Sequence, residues 1–177
     1  GYVGAYYFGR GVSLFNQAGD RTSVSAAIER ALDLDALDLY YRGLADAKLA
    51  ELSAVFNGEG QSAEALQMQF QALAGEAIGA AQSATTVNPI DPENWSKLAQ
   101  IYEALIPLNI AGVSNAALSM RDEQAKRNPS SPEPLLAEAR IFADAGDSKQ
   151  ARERAELALA LKSNYAPAHL FIAQLEE

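Results

Sequence analysis

Apolar residues in the second half of the chain recur on a helical period. Trp95, Leu98, Ala99, Tyr102, Leu105 and Ile106 step by 3, 1, 3, 3 and 1, which is one face of a 3.6-residue helix. Leu135, Ala139 and Phe142 stand at i, i+4 and i+7 in a second segment. Both segments open on a side-chain acceptor before proline, at Asp91-Pro92 and Ser131-Pro132. The acceptor caps otherwise unbonded amides, and a proline at the first helical position forfeits no intrahelical bond. Ala145-Gly146-Asp147 then predicts a glycine C-cap followed at once by a new N-cap, with Gln150 placed after Asp147 in the capping-box relation. The helix that follows carries Ala151, Ala155 and Ala158 on one stripe, small residues that let two helix axes come close. After Lys162-Ser163-Asn164 the pattern restarts, and His169, Ile172 and Ala173 stand 34 residues after Leu135, Glu138 and Ala139. The repeating unit is a pair of antiparallel helices.

Extended over the whole chain, this reading predicts an all-α fold. Helices are expected at about 3–18 and 23–35, 38–56 and 62–86, 92–106 and 114–127, 132–145 and 148–162, with a terminal helix at about 166–176. That makes units of about 3–36, 38–89, 92–129 and 132–163, one array over residues 1–177. Phe8, Val12 and Phe15 read as the packing face of the first helix, and Ala18-Gly19-Asp20 echoes the Ala145-Gly146-Asp147 turn. Two insertions break the rhythm. Tyr41 to Trp95 is 54 residues, which puts about 20 extra around 57–75, in the Asn57-Gly58-Glu59-Gly60 turn and a lengthened second helix. Trp95 to Leu135 is 40 residues, which puts about 6 extra at 107–112.

Trp95-x2-Leu98-Ala99-x2-Tyr102, with Asn88-Pro89 and Asn128-Pro129 at unit ends, resembles the tetratricopeptide repeat family, with Ala99 for its usual Gly. Leu135-x3-Ala139-x2-Phe142 with Ala151-x3-Ala155 is a second match, although Glu138 occupies the usual Leu position and Ser163 the usual Pro. Tyr41-x2-Leu44-Ala45 is a weaker third. The resemblance implies an α-α superhelix whose first helices line a concave groove, and a non-catalytic scaffold that holds a peptide or protein segment there. By the same resemblance the groove residues are Arg42, Asp46, Ser96, Gln100, Glu103, Leu136, Arg140, Leu170 and Gln174, together with Gly9, Ser13, Asn16, Leu49, Ala143 and Glu177. Arg42, Gln100 and Arg140 carry the most recognition chemistry, because guanidinium forks pair with carboxylates or peptide carbonyls and an amide both donates and accepts. The competing reading is that each arginine pairs with an acid inside the array, Arg42 with Asp46 for example.

Charge and composition narrow the partners. A net charge of −9 argues against a nucleic-acid backbone as partner. No apolar run approaches the roughly 20 residues that span a bilayer, so no direct membrane insertion of this segment is expected. The absence of cysteine excludes disulfides, thiolate metal sites and cysteine nucleophiles. His169, the single histidine, falls on a packing position of the last helix, where packing or capping outweighs base chemistry. Asp33, Asp35 and Asp38 fail as a calcium loop, since Leu37 and Asp38 occupy positions that need an oxygen ligand and a glycine. Gly9-Arg10-Gly11 lacks the strand and third glycine of a dinucleotide motif. No catalytic residue, metal site or cofactor is expected.

A second resemblance concerns context. The long second unit and the Leu161-Lys162-Ser163-Asn164-Tyr165-Ala166-Pro167-Ala168-His169 closure look like the soluble repeat regions of bacterial O-antigen polymerase and ligase membrane proteins. The start at Gly1-Tyr2 fits a soluble segment excised from a longer bacterial protein. The alternative to a recognition groove is therefore a structural spacer or self-association element, with homo-oligomers as its product. The end of the array discriminates the two, because Leu170, Phe171, Ile172 and Leu175 exceed what one buried face needs.

Overall fold

The computed structural model describes residues 2–16, 21–56 and 62–176. Among them every regular element is helical: α1 (Tyr2–Asn16), α2 (Arg21–Leu32), α3 (Asp38–Phe56), α4 (Ala63–Val87), α5 (Pro92–Leu105), α6 (Val113–Arg127), α7 (Glu133–Asp144), α8 (Ser148–Leu161) and α9 (Ala166–Leu175). The bounds fall within about three residues of those the pattern predicts, the usual scatter of helix ends. The expected turns at Ala18-Gly19-Asp20 and Asn57-Gly58-Glu59-Gly60 lie outside the described residues. The chain divides into two compact units, Gly1–Pro89 and Ile90–Glu177.

In unit 1, Val24, Ile28, Ala31, Tyr40 and Ala47 form a buried cluster, with Tyr7, Phe8, Leu14, Leu32 and Leu44 packed on it. The packing face of α1 differs from the expected one. Val12 and Phe15 are 42% and 48% exposed, and α1 meets α2 through Gly4, Tyr7, Phe8, Gly11 and Leu14 instead. The reason is distance: a Cβ on Gly11 would stand 2.8 Å from Ile28 Cγ1, so the helices approach more closely than side chains at that position permit. Phe8 stacks on Tyr40 with ring centroids 4.6 Å apart.

The lengthened second helix of this unit is α4, which runs for 25 residues and buries Ala74, Ala77, Ala80, Ala81 and Ala84. Polar ties hold it to its neighbours. Lys48 Nζ on α3 lies 2.9 Å from Glu76 on α4, 3.6 Å from Glu29 on α2 and 3.7 Å from Glu51. Ser25 on α2 donates to the Glu51 carboxylate. At the far end Asn88, the C-cap of α4, donates its amide to Asp38 Oδ2 at 2.9 Å.

Unit 2 is built as the pattern predicts. Leu98, Ala99, Ile101 and Leu105 of α5 are buried. Leu136, Ala139, Ala155, Ala158 and Ala168 form a second cluster, closed by Leu135, Leu159, Tyr165, Phe171 and Ile172. Ala151, Ala155 and Ala158 are fully buried, so the alanine stripe of α8 does bring two helices close. The α7 end is a complete Schellman motif around Gly146 at φ 78, with Gly146 N bonded to Ala143 O and Asp147 N to Phe142 O, both at 2.9 Å. Asp91 caps α5 by accepting from Glu93 N at 2.9 Å. Ser131 accepts from Glu133 N at 3.3 Å, although α7 begins one residue later than expected, after Pro132. Asp147 accepts from the Gln150 backbone at 3.0 Å, but the Gln150 amide returns to the Asp147 carboxylate rather than to its backbone N–H. The extra residues after α5 form a 3-10 turn at Ile106–Leu108 and a loop that enters α6 through Gly112 at φ 84.

Candidate functional site

A cleft of about 240 Å³ opens in unit 2. Ile106, Leu136, Ala137 and Ile141 give it apolar walls, Tyr165 closes one side, and Glu103, Arg121, Glu133, Arg140 and Asp144 supply charge. Three residues named from sequence, Glu103, Leu136 and Arg140, meet here. Leu136 is otherwise a core residue, 2% exposed, so a ligand would touch it only from the cleft side.

The polar wall is organised by Arg121, which sits inside the protein at 3% exposure. Its Nε donates to Glu103 Oε1 at 2.6 Å and its Nη2 to Glu103 Oε2 at 2.9 Å. Its Nη1 donates to Gln124 Oε1 at 2.7 Å and to Ser96 Oγ at 3.2 Å, and lies 3.5 Å from Glu133. Gln124 in turn donates to Glu133 at 3.3 Å. A buried guanidinium is stable only when its donors are met in this way, so the network is a fixed wall rather than a free cation. Ser96 accordingly lies inside the protein, buried and bonded to Arg121 and Gln100, and not on an open groove surface. Gln100 is exposed and also accepts from Lys97 at 3.2 Å.

At the rim the situation reverses. Arg140 and Asp144 are exposed on successive turns of α7, and neither side chain has a hydrogen bond or ion pair among the described residues. The internal pairing considered for Arg140 does not form there. For Arg42 one does form, with Asp38 at 3.6 Å. Asp46 and Leu49 line a shallower cleft in unit 1 with Phe15, Ala50 and Ser53. Leu170 and Gln174 are exposed on α9 and do not line the unit 2 cleft. His169 is exposed rather than packed, and its Nε2 donates to the Ser163 carbonyl in the α8–α9 loop at 2.8 Å, which ties α9 to that loop rather than capping a helix.

Arg121, Glu133, Asp144 and Tyr165 were not legible as cleft residues from the helix pattern. A signal for Arg121 did exist: Val113, Ala117, Arg121 and Gln124 form the buried stripe of α6, so a charge and an amide occupy inward positions. Beside this network, at the position where the repeat pattern carries Leu, Glu138 is 2% exposed and lies 3.0 Å from Arg154 Nη1. Its Oε2 takes part in no hydrogen bond among the described residues. No group of three or more metal-ligating side chains occurs among the described residues, and no helix among them is long and apolar enough to cross a membrane.

No protein-family model matches the chain, and no curated protein does. Solved structures match it in fold. A tetratricopeptide repeat protein from Parabacteroides merdae superposes with a TM-score of 0.67 at 18% identity, covering 99% of this chain and 60% of that one. MamA gives 0.63 at 13% identity, over 93% and 81% of the two chains. A thermophilic TPR protein from Thermus thermophilus gives 0.54 at 15% identity, over 97% and 98%. These matches lend no support to the resemblance to O-antigen polymerases and ligases. The chain therefore has the all-α helix-pair fold of tetratricopeptide repeat proteins.

Proposed function

We propose that the chain is a non-catalytic protein-interaction scaffold that takes a segment of a partner protein into the unit 2 cleft. The observation that carries this reading is the contrast within the cleft. Its inner charges are saturated by one another, while Arg140 and Asp144 at the rim are exposed and have no partner among the described residues. An apolar side chain of the partner fills the space between Ile106, Leu136 and Ile141, and partner polar groups meet the rim pair. The volume of about 240 Å³ is below the roughly 300–1,000 Å³ usual for small-molecule sites, which favours a side chain over a cofactor. Gln100, Leu170 and Gln174, exposed on the same unit, are secondary contacts in this proposal, whereas Arg42, which Asp38 already holds, and Asp46 lie in unit 1 and are no part of it.

The test is capture from the source lysate by the wild-type chain beside an Arg140→Glu/Asp144→Lys double variant. Both residues are exposed, so helicity by circular dichroism should match. A protein retained by the wild type and lost from the variant supports the reading. Equal retention, or nothing retained, overturns it.

A second reading, a spacer or self-association element such as the soluble tail of a membrane glycan polymerase, draws on α1, where Tyr2, Val3 and Tyr6 are 98%, 60% and 64% exposed. Sedimentation of the chain as a concentration-dependent dimer, abolished by Tyr2→Ser/Tyr6→Ser, would favour it over the cleft.

A further inference from the structure

α7 ends without the charge that a helix end attracts. The backbone dipoles of a helix sum to a partial negative charge at its C-terminus, where a cation is stabilising. α6 supplies its own, with Lys126 and Arg127 in its last turn. α7 has no base in its last turn and closes on an acid, Asp144, which is exposed and has no partner among the described residues. One helical turn back, about 6 Å along the axis, stands Arg140, likewise exposed and without a partner among the described residues. Opposite charges at this spacing can pair across a helix surface. These two stay apart, as two poles on the rim of the unit 2 cleft. Glu133, on the opening turn of α7, adds a half-exposed carboxylate to the same lining.

We propose that the segment taken into the cleft is the free N-terminus of a partner chain, with an apolar first side chain, an inference that rests on the cleft being the binding site. In this arrangement the α-ammonium meets Asp144 at the negative end of α7. The first carbonyl groups accept from Arg140, and the side chain lies on Ile106, Leu136 and Ile141. Charge selects which chain end enters. The lining holds three carboxylates, Glu103, Glu133 and Asp144, against two guanidinium groups, and Arg121 is already committed to Glu103. Arg140 is thus set against Glu133, Asp144 and a helix C-terminus, a balance that favours an ammonium over a carboxylate.

Shape selects a chain end over a passing segment. Tyr165 closes one side of the cleft, and about 240 Å³ suits one side chain with its own backbone rather than a run of residues. An N-terminal residue carries its ammonium, its side chain and its carbonyl close together, so one residue meets Asp144, the apolar wall and Arg140 at once. A lysine ammonium stands at the far end of a four-carbon stem, and it reaches Asp144 only from a residue other than the one that fills the cleft. Protonation adds a signature. An α-amino group loses its proton at about 7.7–8.0, well below lysine, so capture fades as pH rises from 7 to 9.

The test is a methyl NMR titration of the full chain, read at Ile106, Leu136 and Ile141, with three peptide amides. The first is Leu-Gly-Gly-Ser with a free amine, the second its N-acetyl form, and the third N-acetyl-Leu-Lys-Gly-Ser, whose ammonium is on a side chain. At pH 6.5 the free-amine peptide should shift the cleft methyls saturably. It should bind about fivefold more tightly than either acetylated peptide, the share that an exposed charge pair supplies. That advantage should vanish at pH 9 and in Asp144→Asn, whose melting temperature should match the wild type because the side chain is exposed. Equal binding of the free and acetylated forms, or of the lysine peptide, overturns the proposal and leaves the cleft as a site for an internal segment. No shift with any of the three overturns it as well, and lysate capture with the Arg140→Glu/Asp144→Lys variant then decides separately whether the cleft binds a partner.

Discussion

Arg121 on α6 grips Glu103 on α5 with two parallel hydrogen bonds of 2.6 and 2.9 Å, a fork closed from inside the protein. The two partners are unequal, since the Arg121 side chain is 4% exposed and that of Glu103 27%. Removing the acid therefore strands the buried cation, whereas removing the base frees an acid that water can reach. Glu103→Ala should cost about 2–3 kcal/mol in urea unfolding, somewhat under the usual cost of breaking a fully buried pair because Glu133 lies 3.5 Å away. Arg121→Met/Glu103→Leu should recover most of the loss, which a double-mutant cycle measures.

The contact of α1 with α2 rests on a missing atom. Alanine is intrinsically better than glycine in a helix by about 1 kcal/mol. At Gly11 its Cβ would stand 2.8 Å from the buried Ile28 Cγ1, which has little room to retreat. The clash should win, and Gly11→Ala should destabilise by about 1–2 kcal/mol. Gly9→Ala, at a glycine with nothing within 4 Å, should instead be neutral or stabilising. Paired thermal melts of the two variants compare these opposite signs.

Lys48 links stability to alkaline pH. Burial, the largest influence, lowers its pKa, but the Glu76 hydrogen bond and the charges of Glu51, Glu76 and Glu29 together exceed it and leave the pKa raised above 10.5. The sign is that of a cation favoured by folding: the contribution is complete below the unfolded value and is lost as pH rises through the folded one. Wild type should lose stability above about pH 10.5, and Lys48→Met should show a smaller loss there. Urea midpoints at pH 9 and pH 11 measure the difference.

Gly146 closes α7 at φ 78, in the left-handed region that costs a side chain about 1 kcal/mol. No atom lies within 4 Å of a Cβ placed there, so the penalty is purely conformational. Gly146→Ala should lower stability by about 1 kcal/mol, and Gly146→Asn by less, in urea titrations of the two variants.

The helix order and the caps were legible because each depends on a few neighbouring residues: Asp91 before Pro92, Gly146 after Ala145, the stripe through Ala151, Ala155 and Ala158. The α1 register was not. Periodicity ranks Phe8, Val12 and Phe15 by hydrophobicity, whereas the packing selects Gly4 and Gly11 by the space they leave. Most of the cleft escaped for a related reason. Arg121 and Gln124 occupy the inward stripe of α6, and a reading that expects apolar residues on that stripe passes over them. Ser96 and Leu136 fall at groove positions in the repeat pattern, yet local packing takes Ser96 inside and leaves Leu136 open to the cleft alone. Arg140 is exposed on α7, with no ion pair among the described residues.

The alanine contact between α3 and α4 has a consequence for uniqueness. The face that α4 buries, Ala74, Ala77, Ala80, Ala81 and Ala84, is nearly uniform in shape. A smooth surface of this kind makes sliding by one turn cheap, since the displaced helix meets another alanine where it left one. What fixes the alignment is the pair of polar tie points, Lys48 with Glu76 partway along and Asn88 with Asp38 at the end. They act as index marks on a ruler whose scale is otherwise blank. Erasing both would leave the helices paired but their alignment plural, a heterogeneity that amide spectra would show as doubled resonances even where the melting temperature barely moves.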